Sequence, residues 1–167
     1  ELLTHDANME SVDLMRIGYD EIDANPDGID LGGAMIEAGK LTGQIDREQL
    51  ADPDSQASQI GRDQMAETYG SIGALFWIAT PTNTRLDQLE AGRQYVRANL
   101  QATKLGLSMH PMSQALQEYE EVEKPYDAVH DLLSEAENDR VQMLARLGYG
   151  PTIGPSPRWP LEAHLEA

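Results

Sequence analysis

Three strand-end loops carry the side chains and backbone groups best suited to chemistry. They are Leu105–Gln114 (LGLSMHPMSQ), Arg146–Pro151 (RLGYGP) and Pro155–Leu165 (PSPRWPLEAHL). Glycine and proline free backbone groups in each, and the last adds the guanidinium of Arg158. Main-chain N–H groups can polarise a ring and an arginine can clamp a phosphate, so the set suits a large planar cofactor with a phosphate tail. Other constellations are poorer. Asp23-Ala-Asn25-Pro-Asp27-Gly28-Ile29-Asp30 opens like a calcium loop. Its twelfth position is Ala34 where a bidentate Glu belongs, its eighth is Asp30 where an apolar residue belongs, and a proline interrupts it. It reads as a turn between helices. The histidines, His5, His110, His130 and His164, lack the spacing of helix-borne metal ligands, and HExxH, GxSxG, Walker and GxGxxG patterns do not occur. Glu118, Glu120 and Glu121 read as a solvated face. His110, after a strand and before Pro111, is a candidate pocket residue or a satisfied structural histidine.

The elements that must position these loops follow from periodicity. Val12, Met15, Tyr19 and Ile22 recur at helical spacing and predict a helix over 9–25, stopped by Asn25-Pro26-Asp27-Gly28. A second helix is expected over 31–41, closed by Gly43, then a helical turn and loop over 46–54, then a helix capped by Ser55 and running to Tyr69. The apolar run Gly73–Thr80, between a glycine and Pro81, predicts a buried strand. The longest helix spans 86–105: Leu86, Leu89, Val96, Leu100 and Thr103 lie along one face, and Tyr95, Ala98 and Ala102 widen it. Apolar residues over that much circumference predict packing on two sides. Gly106 takes the C′ role. A strand over 107–110, a helix over 125–133 and a strand over 140–147 follow, and a proline-rich arm over 152–167 needs a surface to lie on.

The order reads as one α+β domain over 1–167: a helical, lid-like segment (1–54), an α+β core (55–151) and the extended arm (152–167). It holds a small mixed sheet with flanking helices. Three short strands make a thin sheet, so pairing with a two-fold partner or with a missing half of the same polypeptide is expected. The chain opens on Glu1 rather than methionine, which points the same way.

Composition excludes some partners. Twelve basic residues against 29 acidic ones give a formal charge of −17 over 167 residues, which repels phosphate backbones and anionic lipid. With no cysteine, disulfides and thiolate metal sites are impossible. No apolar run approaches the ~20 residues of a membrane span, and the start is polar, without a signal peptide. A soluble protein, cytoplasmic rather than periplasmic, is the expectation.

On these residues the chain resembles the C-terminal half of the nitroreductase superfamily. In order, they are a long helix ending in Leu105-Gly106-Leu107, then Pro111-Met112-Ser113-Gln114, then Leu147-Gly148-Tyr149-Gly150-Pro151, then Arg158-Trp159-Pro160-Leu161-Glu162. The stretch Glu10–Gly33 is similar to the middle of longer, divergent members related to twin-arginine-signal nitroreductase-like proteins. The resemblance implies an FMN-dependent oxidoreductase that passes electrons from NAD(P)H through flavin to a nitroaromatic, quinone or similar acceptor. Pro111, Met112, Ser113 and Gln114 would lie along the isoalloxazine, Gly148 and Tyr149 would border the site, and Arg158 would meet the phosphate. No catalytic acid or base is implied, because the flavin carries the chemistry.

The departures bear on affinity. The family's cationic first-helix motif is absent, Ser156 stands where a lysine is usual, and Ser113-Gln114 replaces a common Glu or Gly. Each lost charge-assisted hydrogen bond costs about 1.5–3 kcal/mol, so two turn micromolar binding into roughly millimolar. The resemblance therefore also implies an alternative: a flavin-binding or flavin-sequestering protein without turnover, or a pseudo-enzyme half that completes a dimer-like fold.

Overall fold

A glycine that no L-residue replaces easily sets the start of the fold. Gly18 stands at φ 85° between a short strand and a short helix, and breaks what the periodicity suggests is one helix over 9–25. The computed structural model describes residues 5–134, 136 and 139–165. Over these the chain is α+β, about 54% helix and 17% strand. It divides into two compact units, one of residues up to 67 together with those from 153, the other of residues 68–152.

In the first unit, α1 (His5–Leu14) runs into β1 (Met15–Ile17), α2 (Tyr19–Ala24) and β2 (Ile29–Leu31). The strands pair in parallel, Met15 with Ile29 and Ile17 with Leu31, so 15–31 is a miniature strand–helix–strand crossover. Helices α3 (Ala34–Leu41) and α4 (Arg47–Ala51) follow, and then α5 (Gln56–Gly70), whose last three residues are counted in the second unit. Leu31, expected to open a helix, ends β2 instead, and the helix begins after Gly33. The Asp23–Asp30 turn joins a helix to a strand, not two helices.

The apolar core here is small. Val12, Ile17 and Ile22 are buried, with Asn8 beside them giving its Nδ2 to Leu50 O at 3.2 Å. Charge does more. Glu21 receives both guanidinium nitrogens of Arg47 (3.1 and 2.8 Å) and the N–H of Ile17 at 3.0 Å. Lys40 Nζ donates to Ile17 O at 2.7 Å and Asp20 Oδ1 at 2.6 Å, and Glu37 accepts from Tyr19 N at 2.6 Å. Hydrogen bonding from Arg47 holds the Glu21 carboxyl below its ordinary pKa, and the Lys40 bond does the same for Asp20.

The second unit is built on three of the expected strands. β3 (Ala74–Thr80), β4 (Ser108–Pro111) and β5 (Arg140–Gly148) form a sheet in the order β3-β5-β4, antiparallel throughout. A bulge at Ile78/Ala79 shifts the β3–β5 register. Ile78, Val141, Leu144 and Ala145 are its buried centre. α7 (Glu123–Leu133) starts two residues before the expected Pro125 and packs on β5.

The long helix α6 (Arg85–Lys104) packs on all three strands, and its ends follow local chemistry. Thr84 accepts from Asp87 N at 3.3 Å while Asp87 accepts from Thr84 N at 2.9 Å, a reciprocal cap. At the other end Gly106 has φ 73°, and the N–H of Leu107 reaches back to Ala102 O at 2.9 Å, a Schellman closure. The face turned inward is Ala91, Tyr95, Ala98 and Ala102, with both outer alanines buried. The opposite face is bare: Leu86, Leu89, Val96 and Leu100 are 70%, 48%, 56% and 66% exposed. Of the two packed sides expected for this helix, the described residues of the second unit supply one.

Candidate functional site

The loop expected along a flavin ring is fixed by its neighbour strand. Pro111 is the last residue of β4, opposite Ala145, and Met112 N donates to Leu144 O at 2.8 Å, prolonging the ladder by one bond. Ser113 and Gln114 then open a 3-10 turn, Ser113–Leu116, that packs on β5. Met112 is half-buried, whereas Pro111, Ser113 and Gln114 are exposed. Gly148 lies opposite Ser108, at the other end of β4, and Tyr149 beyond it is 86% exposed. Three residue steps along β4, from Ser108 to Pro111, separate these two loops, about 10 Å at ~3.4 Å per residue. They lie at the two ends of one ladder rather than facing each other across a crevice. Between them His110 stands opposite Arg146, whose Nε donates to His110 Nδ1 at 3.3 Å. That bond makes Nδ1 the acceptor and puts the ring proton of a neutral His110 on Nε2.

Arg158 belongs to the first unit, on the arm. Its guanidinium is exposed and makes no hydrogen bond or ion pair among the described residues. The arm is extended over 151–160, as expected, and ends in a 3-10 turn, Leu161–His164; its last two residues lie outside the described residues. What anchors it is Trp159, whose Nε1 donates to Asp27 Oδ2 at 3.1 Å. Asp27 Oδ1 receives Arg16 Nη2 at 2.9 Å. The bond from Trp159, then that from Arg16, lowers the Asp27 pKa. Asp27 thus ties β1 to the arm through a loop that the sequence offers as a calcium turn. Among the described residues no cluster of three or more His, Asp or Glu is placed to hold a metal ion. Nor is any helix there long and apolar enough to cross a membrane.

Two clefts stand out. One, of about 420 Å³, runs between Ile22, the Pro26–Gly28 turn, Asp30 and the arm from Ile153 to Pro157. The other, of about 520 Å³, lies in the second unit between Tyr119, Tyr126, Arg140, Gln117 and four carboxylates, Glu118, Glu120, Glu123 and Asp127. Neither is lined by Pro111, Met112, Ser113, Gln114, Gly148, Tyr149 or Arg158. Both linings are acidic, so neither attracts a phosphate.

Sequence reasoning missed the second cleft's frame. Tyr126 stacks on His130 (centroids 4.1 Å apart), Arg140 stands 5.4 Å over the Tyr126 ring, and Arg140 Nη2 pairs with Glu118 at 3.2 Å. The Tyr126 hydroxyl is buried and has no hydrogen-bond partner among the described residues. His130 Nε2 accepts from Val141 N at 3.2 Å, so the proton sits on Nδ1, which donates to Tyr126 O at 3.0 Å. With both nitrogens engaged, and burial lowering its pKa, His130 is a neutral clamp joining α7 to β5 and not a free base. The signal for it was the i, i+4 spacing of Tyr126 and His130 on a helix. No protein-family model, no curated protein and no solved structure matches the chain.

Proposed function

We propose that this chain is one half of an FMN-dependent oxidoreductase of the nitroreductase type, contributing part of a flavin site that a second half completes. The observation that carries the reading is the loop Pro111–Gln114. It is pinned to the central strand by Met112 N–H on Leu144 O, yet leaves Ser113 and Gln114 exposed where a planar ring could lie. The residues fit the group in kind. Arg158 offers an unengaged guanidinium for a phosphate, and the backbone past β4 and β5 offers polar groups for a ring. They do not enclose it, since neither of the two clefts is lined by them.

When bound, FMN would supply two-electron chemistry: a hydride from NAD(P)H and a proton from solvent in, two electrons and two protons out to a quinone, or the equivalent to a nitro group. The chain's residues then bind and orient. As the resemblance has it, Met112 would offer an apolar flank to the ring, Pro111 would stiffen the loop and Gly148 and Tyr149 would border the site, while Arg158, which belongs to the other unit, is the cation assigned to a phosphate. The exposed outer face of α6 favours a second reading, a half-domain whose role is to complete a dimer-like fold without turnover.

Titration with FMN, followed by flavin absorbance and fluorescence quenching, tests the first reading. Saturable binding is expected, with Arg158→Ala raising Kd by about tenfold to a hundredfold, the loss of one charge-assisted contact. A colourless chain that gains no flavin signal at millimolar FMN sinks flavin binding by this half. If flavin binds, bleaching by anaerobic NADPH marks an enzyme, and its absence marks a store.

A further inference from the structure

The bare face of α6 has a pattern that the inward face lacks. Leu86, Leu89, Arg93, Val96, Leu100 and Thr103 follow one another at spacings of three, four, three, four and three. This is the a/d alternation of a coiled-coil seam, whose 3.5-residue period keeps it facing one partner helix along its whole length. The face that packs on the sheet, Ala91, Tyr95, Ala98 and Ala102, lies on the opposite side of the helix and is made of smaller residues. All six seam residues are exposed. A solvated face has no reason to keep this period over three turns or more, with a leucine at three of its six positions.

The charges beside the seam choose the occupant. α6 holds Arg85, Arg93, Arg97 and Lys104 against Asp87 and Glu90, a net positive helix in a chain of −17. With Leu86 as an a position, Glu90 and Arg97 both fall on e. In an antiparallel pair of identical helices, e positions face each other. Aligning Leu89 with Leu100 of the other copy sets Glu90 beside the other copy's Arg97, twice by symmetry. A parallel pair would set like residues side by side and put Arg93 against Arg93. Antiparallel pairing sets Arg93 against Val96 instead, where its stem can lie along the seam.

We propose that the outer face of α6 is a self-complementary interface, on which a second copy of this chain docks its own α6 antiparallel, with the two-fold axis between Arg93 and Val96. The pairing does not depend on the flavin reading. It is read by mass and by cross-linking, the flavin by absorbance, so either can fail alone.

The test uses the 167-residue chain, which has no cysteine and so accepts single reporters. Light scattering across a dilution series is expected to show a dimer. Leu89→Glu with Leu100→Glu should leave a monomer with unchanged circular dichroism, since both residues are exposed. Glu90→Arg or Arg97→Glu alone should each weaken the dimer about tenfold by setting like charges together, and the double swap should restore it. Val96→Cys, about 5 Å along the axis from its symmetry mate at 1.5 Å per residue, should form an intermolecular disulfide. Leu86→Cys, about 25 Å from its mate on the same measure, should not. A wild-type monomer at ~100 μM overturns the proposal, that being the range where a specific interface still associates. So does a dimer that survives the double glutamate variant. Cross-linking of both cysteine variants also overturns it, since it would mean a parallel pair.

Discussion

The two units of this chain are held together by different physics. In the first, three apolar side chains are fully or nearly buried, and the work of joining β1, α2, α3 and α4 falls to Glu21, Lys40, Arg47 and their backbone partners. In the second, a three-stranded ladder and an alanine-faced helix enclose an apolar centre, and the charged groups sit at its margins. The contrast shows that an acidic composition need not be a uniform surface property. The ion pairs Arg16–Asp27, Lys40–Asp20 and Arg47–Glu21 lie in the first unit, while the second leaves apolar surface bare on α6 and on β3, where Leu75 and Trp77 are 43% and 45% exposed.

The largest effects should come from changes that attack each unit by its own principle. Leu144→Ala removes a buried side chain from the central strand of the second unit and should cost about 3 kcal/mol. Gly28→Ala acts on the first unit, where glycine has φ 80° and an added Cβ would collide with Leu14 O. Left-handed strain and a backbone collision together should cost about 2–3 kcal/mol. Hydrogen exchange read segment by segment is the measurement. Each variant should raise exchange in its own unit, Leu144→Ala over β3–β5 and Gly28→Ala over β1–β2. Equal loss in both would mean that one cooperative unit, and not two, underlies the contrast.

A middle-sized effect separates charge from packing. Glu21→Gln keeps the shape of the side chain but removes the anion that Arg47 and Lys40 share. It should cost about 1–2 kcal/mol, discounted for partial exposure. Raising salt to 1 M shortens the screening length to about 3 Å and should weaken the wild-type first unit in the same direction. The second unit, under the same salt, should hold or gain. A first unit indifferent to both changes would return its stability to Val12, Ile17 and Ile22.

This division also explains what could be read from the residues and what could not. β3, β5 and α6 were legible as elements because each signal is long or ends at a breaker, the apolar run between Gly73 and Pro81 or the C′ glycine at 106, although β3, expected to be buried, leaves Leu75 and Trp77 exposed. The first unit resists such reading. Val12, Met15, Tyr19 and Ile22 fit one helical face, yet Gly18 turns the chain and Met15–Ile17 pairs with residues fourteen positions on. Three-residue strands are too short to show alternation, and the ion pairs that hold them link residues 11 to 26 apart. Trp159 on Asp27, 132 residues away, has no local signal at all. Of the residues assigned to a flavin by resemblance, Pro111–Gln114 and Gly148–Tyr149 fall on one ladder, and their separation along β4 could be read only once the register of β4 on β5 was known.

The smallest effect, with pH, is the one that orders the two units against each other. Glu21, Asp20 and Asp27 have lowered pKa values, so the first unit binds fewer protons folded than unfolded in acid. Its contribution from these groups is complete above the ordinary carboxylate range, near 4, and is lost as pH falls through the lowered values. His130 in the second unit is also lowered, by burial, so there too the folded state takes up a proton less readily than the unfolded chain. Here the loss begins higher, as pH falls below the ordinary histidine value near 6.5, because a charged ring can no longer accept from Val141 N. Asp87, lowered by Thr82 and Thr84, adds a second loss in the carboxylate range. Segment-resolved exchange stepped from pH 8 to about pH 2, corrected for intrinsic rates, should therefore show β5 and α7 loosening before β1 and α2. His130→Gln, which keeps an acceptor but cannot charge, should abolish the early step and leave the later one. If β1 and α2 loosen first, the first unit's ion pairs are weaker than their geometry requires, and its small apolar core is the better account of why it folds.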